Sequence, residues 1–416
     1  MTAAQATGAA LTARDVLPIE ETTGTFVGRV WDPDRSVPVP VALRGTQVWD
    51  VTELAGTSAS LLERADLAGE LAQVFATPAT WSVDDLHLPQ QLPAGDDPAR
   101  PAALTLLAPI DLQVIKACGV TFAGSMIERL IEERAGGDPG SAQRIREEMT
   151  QAVGVDLAAI VPGSPEAAAV KEQLLSLGWW SQYLEVGLGP DPEVFTKGPL
   201  LSAVGTGDMI GIPAFSSWNN PEPELTLVVT ADGRIAGVTL GNDVNLRDVE
   251  GRSALLLGMA KDNNRSTALG PVIRVFDESF TLDDARGVEI ELRVEGAPEE
   301  DGGDGFVLDG LNTVGALSRT FERLVEATLG DHHQYPDGCV ILTGTLFAPT
   351  QDRDVPGDGF THRHGDVVTI ANPRLGRLVS TVGPTEQLAP WTYGVRSLVA
   401  DLAEAGLREI GRASCR

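Results

Sequence analysis

Residues 218–248 read WNNPEPELTLVVTADGRIAGVTLGNDVNLRD, in which apolar and polar residues alternate in two runs. Asp232-Gly233 separates the runs, and this dipeptide is typical of tight β-hairpin turns. The sequence therefore predicts a hairpin with one apolar face that packs into the core. A turn with two central residues makes that face from three residue pairs, which are Leu225 with Leu240, Leu227 with Val238, and Val229 with Ala236.

Three carboxylates are expected at the open end of this hairpin. The same pairing places Glu222 opposite Asp243 and Glu224 opposite Gly241, and alternate side chains share one face of a strand. Clustered carboxylates repel one another unless a cation lies among them, and oxygen-only ligands favour a hard ion such as Mg2+ or Mn2+. The spacing alone leaves a second interpretation open, in which the side chains form a solvated acidic strand end.

The chain downstream of this hairpin adds further motifs in a fixed succession. Glu222-x-Glu224 is followed by GNDVNLRD, then by Lys261, and then by Leu269-Gly270-Pro271. This succession resembles the core signature of the fumarylacetoacetate hydrolase family, and the resemblance covers roughly residues 110–400. NNPEPE, GNDVNLRDVEGRSALLLG and KDNN further resemble the family's 2-keto-3-deoxy-pentonate (D-arabinonate or D-xylonate) dehydratase branch.

The patterns along the chain and the resemblance predict the same architecture. Short strand patterns over 24–54 indicate a small N-terminal β-rich domain with its linker, residues 1–100, and strand and helix patterns without βαβ alternation indicate an α+β fold. The resemblance implies a mixed β-sheet roll as the catalytic domain, residues 101–409, with a helical lid insertion over 136–184. A long amphipathic helix is expected over 312–329, and residues 410–416 are predicted to be a non-native tail.

The resemblance also assigns roles to individual residues. Glu222, Glu224 and Asp243 are expected to bind Mg2+, with Mn2+ as the alternative, and Lys261 is expected beside the substrate as a catalytic ammonium group. Lys197 and Thr345 also match family positions at the substrate. The candidate substrate-binding residues, each with a purely structural alternative such as a surface lysine, a turn cap or an ordinary strand residue, are Ser125, Lys197, Asn220, Asn263 and Thr345.

One motif departs from the hydrolases of this family. They carry G-x-N-Y-x-x-H-x-x-E where this chain has GVTFAGSMIER, so Ser125 replaces the histidine and Glu128 keeps the glutamate. The chain therefore lacks the histidine that is paired with this glutamate to activate the hydrolytic water. Glu128 remains a candidate base if closure of the lid desolvates it and raises its pKa; alternatively, it is a surface helix glutamate.

These expectations favour a Mg2+-dependent dehydratase that converts a 2-keto-3-deoxy pentonate to 2,5-dioxopentanoate (2-oxoglutarate semialdehyde) through a metal-stabilised enolate. Two alternatives remain open. The first is a carbon–carbon bond hydrolase or decarboxylase of β-diketo or 2-oxo acids in the same family, and the second is a catalytically silent sugar-acid sensor. The resemblance further implies a homodimer or a higher homo-oligomer.

Composition excludes several classes of partner. The 416 residues carry a formal net charge of −28, which argues against binding nucleic acid or anionic membranes. The sequence contains no apolar run long enough to span a bilayer. Its three cysteines are far apart and fit reduced thiols in a cytoplasmic protein, with Cys118 expected to be buried. His362 is expected to be a solvated loop residue.

Overall fold

The computed structural model describes residues 11–91, 97–136, 138, 140–142, 144–145, 160–176, 178–299, 302–346, 351–356 and 359–407. The predicted tail at 410–416 lies outside these residues, as does most of the segment 137–159. Within them, strands form an eleven-stranded mixed sheet, a five-stranded mixed sheet and a two-stranded ribbon, with helices around them. The predicted α+β class with mixed sheets is confirmed.

The large sheet contains the predicted hairpin near its middle. Its strands, in their order across the sheet, are β4 (Trp81–Ser82), β3 (Gln47–Asp50), β2 (Val37–Arg44), β1 (Phe26–Asp32), β13 (Thr267–Val275), β11 (Ile235–Asp243), β10 (Pro223–Val229), β16 (Cys339–Leu342), β6 (Val114–Gly119) and β7 (Glu193–Gly198), with β5 (Thr105–Leu106) beside β1. Most neighbouring strands are antiparallel, but β6 and β16 run parallel.

The other strands form the five-stranded sheet and the ribbon. In the five-stranded sheet the order is β15 (Val307–Thr313), β14 (Glu289–Glu295), β17 (Val367–Asn372), β18 (Gly376–Pro384) and β8 (Asp208–Ile212), and the ribbon pairs β9 (Asn219–Asn220) with β12 (Asn245–Leu246). The α-helices of the described residues are Ala13–Val16, Ser58–Leu62, Leu67–Val74, Ala123–Ala135, Pro165–Ser176, Gln182–Leu188, Arg247–Glu250, Leu257–Lys261, Leu282–Arg286, Phe321–Thr328 and Val395–Glu404.

The N-terminal strands are confirmed as strands, but they extend the large sheet. Phe26 and Val27 of β1 pair with Arg274 and Ile273 of β13, so β1 is hydrogen-bonded to a strand of the predicted catalytic part. The division into an N-terminal and a catalytic domain remains a prediction, and the sheet runs across its boundary.

The core lies on both faces of the large sheet. One face packs against the five-stranded sheet, with Leu225 and Leu227 meeting Ile290 and Leu292 in one buried cluster. The opposite face packs against the helices 58–62 and 67–74. Because each of β10 and β11 is covered on both sides, these strands form a rigid base for the side chains at their ends.

The hairpin has the predicted register over most of its length and a different turn. Glu224 pairs with Gly241, as predicted. The turn, however, has three central residues: the Thr230 N–H donates to the Arg234 carbonyl, the Gly233 N–H donates to the Thr230 carbonyl, and Gly233 has φ +86°. A type I turn followed by a left-handed glycine inserts a bulge. Val229 therefore pairs with Ile235.

Because of this bulge, the predicted pairing of Val229 with Ala236 is wrong. The extra residue turns Ala236 to the opposite face of the sheet, where it joins the cluster beneath the two N-terminal helices. Leu240 and Val238 lie beyond the bulge and keep the predicted face. Register at the carboxylate end is thus unaffected by the turn.

Substitution of Gly233 tests the role of this turn. We expect Gly233→Ala to lower the free energy of unfolding by about 1 kcal/mol, because a Cβ is disfavoured at positive φ. Denaturant unfolding would measure it, with Gly258→Ala, in a helix with open space around the Cβ, as the control that should be neutral or stabilising. Equal effects of the two substitutions would contradict the turn assignment.

The helix predicted over 312–329 is wrong in its first half. Asn312 belongs to β15, where its amide N–H donates to the Pro223 carbonyl at 2.8 Å and its amide oxygen accepts from the Leu346 N–H at 3.1 Å. The helix begins only at Phe321, after Thr320 has capped it by accepting from the Arg323 N–H. Tertiary hydrogen bonds of Asn312 outweigh the helical periodicity of the segment.

Within the predicted lid segment 136–184, the described residues include the helix Pro165–Ser176 and the start of the helix Gln182–Leu188, and the assignment of this segment as a lid remains a prediction. The helices Ala123–Ala135, Pro165–Ser176 and Gln182–Leu188 share one apolar cluster, which includes Met126, Leu130 and Leu184. Trp218, which precedes the hairpin strand β10, packs into the same cluster. The helical segment is therefore joined to the strand that carries the predicted metal ligands.

Candidate metal centre

The three predicted carboxylates meet at one point. Glu222 and Glu224 lie at the start of β10 and Asp243 at the end of β11, and their exposed fractions are 4%, 1% and 2%. One oxygen from each lies within 4.8 Å of the others. Among the described residues this is the one group of three His, Cys, Asp or Glu side chains arranged in this way. The alternative interpretation, in which these side chains form a solvated acidic strand end, is therefore wrong.

Two lysines contact this cluster. Lys261 ends the helix Leu257–Lys261, and its ammonium group pairs with Glu222 and lies 3.1 Å from an Asp243 oxygen. Lys197 lies on β7 and is fully buried, with its Nζ 3.1 Å from the other Asp243 oxygen. The Lys197 ammonium also donates to the Val244 carbonyl at 3.2 Å. Lys197 thus positions Asp243 from behind.

Burial and neighbouring charges shift the pKa values of Glu224 and Asp243 in opposite directions. Burial raises the pKa of Glu224 well above its usual range, and repulsion from Asp243 and Glu222 raises it further. Burial also opposes ionisation of Asp243, but Lys261 and Lys197 outweigh it and lower the Asp243 pKa. The pKa of Lys261 is raised because its carboxylate neighbours outweigh its own burial. The cluster therefore favours an additional cation near Glu224.

A buried arginine network links the cluster to the helix that precedes the predicted lid segment. Arg129 of the helix Ala123–Ala135 lies 2.5 Å from a Glu222 oxygen, 2.5 Å from Glu132 and 2.9 Å from Glu250. Arg247 in turn lies 2.6 Å from Glu132. Sequence reasoning missed the roles of Arg129, Glu132 and Glu250. Their one signal is the i,i+3 spacing of Arg129 with Glu132 and of Arg247 with Glu250, which is common on solvated helices.

Glu250 is the carboxylate of this network that faces the predicted site. It lies in the helix Arg247–Glu250, just after β12, and is 3% exposed. Burial raises its pKa to about 7, although the neighbouring Arg129 lowers it. A carboxyl group that titrates near neutrality can accept and return a proton.

The predicted base, Glu128, lies on the outer part of the same network. Its side chain is 17% exposed and lies 3.5 Å from Arg247. It does not line the cavity above the triad, whereas Arg129 and Glu250 do. The neighbouring Ser125 lies in the helix Ala123–Ala135, and its side chain is outside the described part of the chain.

The remaining predicted substrate residues divide between three locations. Thr345 lines the cavity above the triad and is 8% exposed. Asn220 is buried in β9 and donates to the Pro221 carbonyl at 2.9 Å. Asn263 donates to the Met259 carbonyl at 2.9 Å and lines a separate cavity. Of the predicted substrate-binding side chains described here, the structure brings only Thr345 to the triad cavity.

The cavity above the triad is small and buried, and acidic and basic side chains form half of its lining. It is lined by Cys118, Gly119, Val120, Arg129, Phe195, Glu222, Glu224, Asp243, Glu250, Lys261, Gly344 and Thr345. Four carboxylates therefore face two basic side chains. Such a group of converging carboxylate oxygens suits one divalent hard cation.

The predictions for Cys118 and His362 have different outcomes. Cys118 is 2% exposed, as predicted, and burial raises the pKa of its thiol. His362 is not solvated: it is 8% exposed, its Nδ1 lies 3.5 Å from Asp366, and burial lowers its pKa. Asp366 itself is held by Arg353 at 2.6 Å, so this corner of the loop is fixed.

The family profile described as "Fumarylacetoacetate (FAA) hydrolase C-terminal" matches residues 180–383, which include the triad and Lys261. Residues 180–383 belong to the fumarylacetoacetate hydrolase family. Both hairpin strands, Lys197 and Thr345 lie inside this segment. The helix Ala123–Ala135 lies outside it.

Curated relatives within the fumarylacetoacetate hydrolase family match about half of this chain. A "Probable 2-keto-3-deoxyxylonate dehydratase" of Haloferax volcanii is 32% identical over 200 residues, which is 48% of this chain and 63% of the relative. A "2-dehydro-3-deoxy-D-arabinonate dehydratase" of Saccharolobus solfataricus is 31% identical over 194 residues, which is 46% of this chain and 58% of the relative. The matched part spans less than two thirds of either relative.

Solved structures in this family show the same fold. A 2-keto-3-deoxy-D-arabinonate dehydratase complexed with magnesium and 2,5-dioxopentanoate superposes with a TM-score of 0.57 at 20% identity, covering 86% of this chain and 99% of the other. The apo form of the enzyme with that name gives a TM-score of 0.55 at 21% identity, covering 86% and 99%. In the described part of this chain, we find no helix with the length and apolarity needed to cross a bilayer.

Proposed function

We propose that this protein is a metal-dependent hydro-lyase that dehydrates a 2-keto-3-deoxy pentonate to 2,5-dioxopentanoate. The convergence of Glu222, Glu224 and Asp243 beside Lys261 in a buried cavity carries this proposal. Two curated relatives are named as dehydratases of such acids. A structural neighbour is named as bound to magnesium and to this product.

The residues present fit a Mg2+ ion. Glu222, Glu224 and Asp243 would hold it, since they offer only oxygen atoms and one oxygen of each lies within 4.8 Å of the others. A bound Mg2+ supplies Lewis acidity, which increases the acidity of the protons next to a keto group. Mn2+ has similar ligand preferences and is the alternative.

The side chains around the triad would bind and orient the substrate. Thr345 and Lys261 offer donors for the carboxylate and hydroxyl oxygens. Cys118, Val120 and Phe195 form an apolar wall that limits access of water. Water exclusion strengthens the interaction of Lys261 with an oxygen that gains negative charge.

The reaction requires one base and one acid. A base removes a C3 proton, the C4–O bond breaks, and the hydroxyl leaves as water after receiving a proton. Loss of one C5 proton and of the C5 hydroxyl proton, with protonation at C3 and at C4, then gives the aldehyde. Glu250 fits the proton transfers because it lines the cavity with a pKa of about 7. The charged Lys261 can donate the proton to the leaving hydroxyl.

Comparison of Glu250→Gln with Glu128→Gln separates the two candidate bases. We expect Glu250→Gln to lower kcat by about 10²- to 10⁴-fold, the usual contribution of a positioned acid or base. Glu128→Gln is the matched control and should retain activity within about tenfold. The measurements are kcat and the exchange of the C3 protons into D2O. A larger loss in Glu128→Gln, with both variants folded, would return the role to Glu128.

Product analysis tests the proposed reaction itself. Incubation with 2-keto-3-deoxy-D-arabinonate and Mg2+ should yield 2,5-dioxopentanoate, detected by NMR and by a coupled semialdehyde dehydrogenase. Formation of this product should stop when EDTA is added and resume with excess Mg2+. Pyruvate and glycolaldehyde would instead indicate carbon–carbon cleavage and would support the alternative function. Absence of any product from 2-keto-3-deoxy pentonates would overturn the proposed substrate class.

A further inference from the structure

A second cavity, of about 260 Å3, lies outside the site described above. Several parts of the chain line it, among them β1, β5 with the residues that follow it, and the segments 199–208, 262–265 and 390–393. Its volume approaches the range of roughly 300–1,000 Å3 that small-molecule pockets occupy. No residue lines both this cavity and the one above the triad. It is therefore a separate space.

Arg29 is a buried basic side chain in the lining of this cavity. Arg29 lies on β1 and is 7% exposed, and its Nε donates to the Ala108 carbonyl at 3.1 Å. Its Nη1 is buried and has no hydrogen-bond partner among the described residues. The other arginine of the lining, Arg265, lies 2.7 Å from Asp208 and so has its own carboxylate. Asp111 opposes the effect of burial on the Arg29 pKa, but no carboxylate of the described residues forms an ion pair with Arg29, so a bound anion would offset part of the cost of burying its charge.

The rest of the lining suits a short organic molecule. Leu106, Leu201 and Val204 provide apolar walls, while Asn263 and Asn264 provide amide groups. A few polar groups that converge on an apolar cavity are typical of sites for small metabolites. In a chain of net charge −28, a buried arginine is a local attraction for an anion.

We propose that this cavity is a second binding site, which takes a small hydroxy acid with its carboxylate on Arg29 and its hydroxyl groups toward Asn263 and Asn264. The site is adjacent to the metal centre. The Asn263 N–H and the Lys197 ammonium both donate to the Ser266 hydroxyl at 3.1 Å, and Lys197 contacts Asp243. This proposal does not depend on the proposed reaction.

Calorimetric titration of the full-length protein with D-gluconate and with D-glycerate, in the presence of EDTA, tests the site. We expect binding of at least one acid to the unmodified protein, and at least about tenfold weaker binding in Arg29→Gln, because a charge-assisted hydrogen bond is lost. Thr392→Trp, at an exposed position of the lining, should weaken binding similarly by filling the cavity. It provides an independent result if Arg29→Gln is unstable.

Two variants serve as controls. Arg44→Gln removes another arginine with a buried, unpartnered Nε, on the adjacent β2 and outside the cavity lining, and should leave binding unchanged. Glu224→Gln should also leave it unchanged. Loss of binding in Glu224→Gln would assign the acid to the metal centre and overturn the proposal. Unchanged affinity in both Arg29→Gln and Thr392→Trp, or no binding of either acid up to about 10 mM, would also overturn it.

Discussion

Glu224→Gln is expected to abolish the metal-dependent activity and to weaken Mg2+ binding by more than about 100-fold, since even residues that only support metal ligands contribute 10- to 100-fold. The substitution removes one anionic ligand and keeps the shape of the side chain. The Gln carbonyl can still accept the hydrogen bond that the Gly344 N–H donates to Glu224 at 2.7 Å. Metal binding should therefore change far more than packing.

The stability of this variant without metal provides an internal check. Burial and the neighbouring carboxylates raise the pKa of Glu224, so a neutral glutamine resembles the form that the metal-free site favours. We expect the melting temperature in EDTA to be equal to or higher than that of the unmodified protein. Isothermal titration with Mg2+ and melting curves with and without EDTA would measure both effects.

Glu63→Gln is the matched control for Glu224→Gln. Glu63 accepts a hydrogen bond from the Ala231 N–H at 2.7 Å, at the turn end of the same hairpin, and burial raises its pKa as well. Its substitution should leave Mg2+ affinity and activity unchanged. Near-normal activity in Glu224→Gln, with Mg2+ affinity retained, would falsify the assignment of the triad as the metal site.

The success of the sequence analysis at the triad has a local cause. Strand alternation and antiparallel register extend regularly from Leu225 to Glu222, so the positions of Glu222, Glu224 and Asp243 follow from the hairpin alone. The turn was predicted wrongly because Asp232-Gly233 is compatible with both two-residue and three-residue loops. The error stayed at the turn, since the bulge at Val229 absorbs the extra residue.

The parts that could not be predicted depend on contacts between distant segments. Arg129 and Glu250 are 121 positions apart in sequence, and nothing in their own helices indicates that both reach the triad cavity. Asn263 follows Lys261 so closely that a shared site was the natural expectation. The chain, however, turns after Lys261 and carries Asn263 into the second cavity. Sequence spacing predicts which residues share a face of a strand. It cannot predict whether a loop carries two residues that are close in sequence into different cavities.

Lys261→Met is expected to lower activity by at least about 10²-fold while strengthening Mg2+ binding. Activity falls because the ammonium group that would stabilise a developing negative charge is lost. Mg2+ binding strengthens because Lys261 now neutralises Glu222 and Asp243, and its removal leaves more charge for the metal ion to neutralise. Opposite changes in activity and affinity are not expected for a lysine that only supports the fold.

The same variant should be less stable in EDTA. Removing one partner from a buried ion pair typically costs about 3–5 kcal/mol, since the remaining charge loses its compensation. Mg2+ should recover part of this loss, because a ligand that binds only the folded state stabilises it in proportion to its affinity and concentration. The rise in melting temperature on adding Mg2+ should therefore be larger for Lys261→Met than for the unmodified protein.

Lys116→Met separates this effect from the general effect of removing a buried lysine. Lys116 lies on β6 of the same sheet, is 9% exposed and donates to the Thr196 hydroxyl at 3.0 Å, and burial lowers its pKa. Because Lys116 has no ion-pair partner among the described residues, its replacement by an apolar side chain should be close to neutral and should leave the response to Mg2+ unchanged. If Lys261→Met instead lost Mg2+ affinity together with activity, Lys261 would be needed to hold the carboxylates in place. The ammonium group and the metal ion would then act as partners in the cluster, and the idea that they compete for Glu222 and Asp243 would be abandoned.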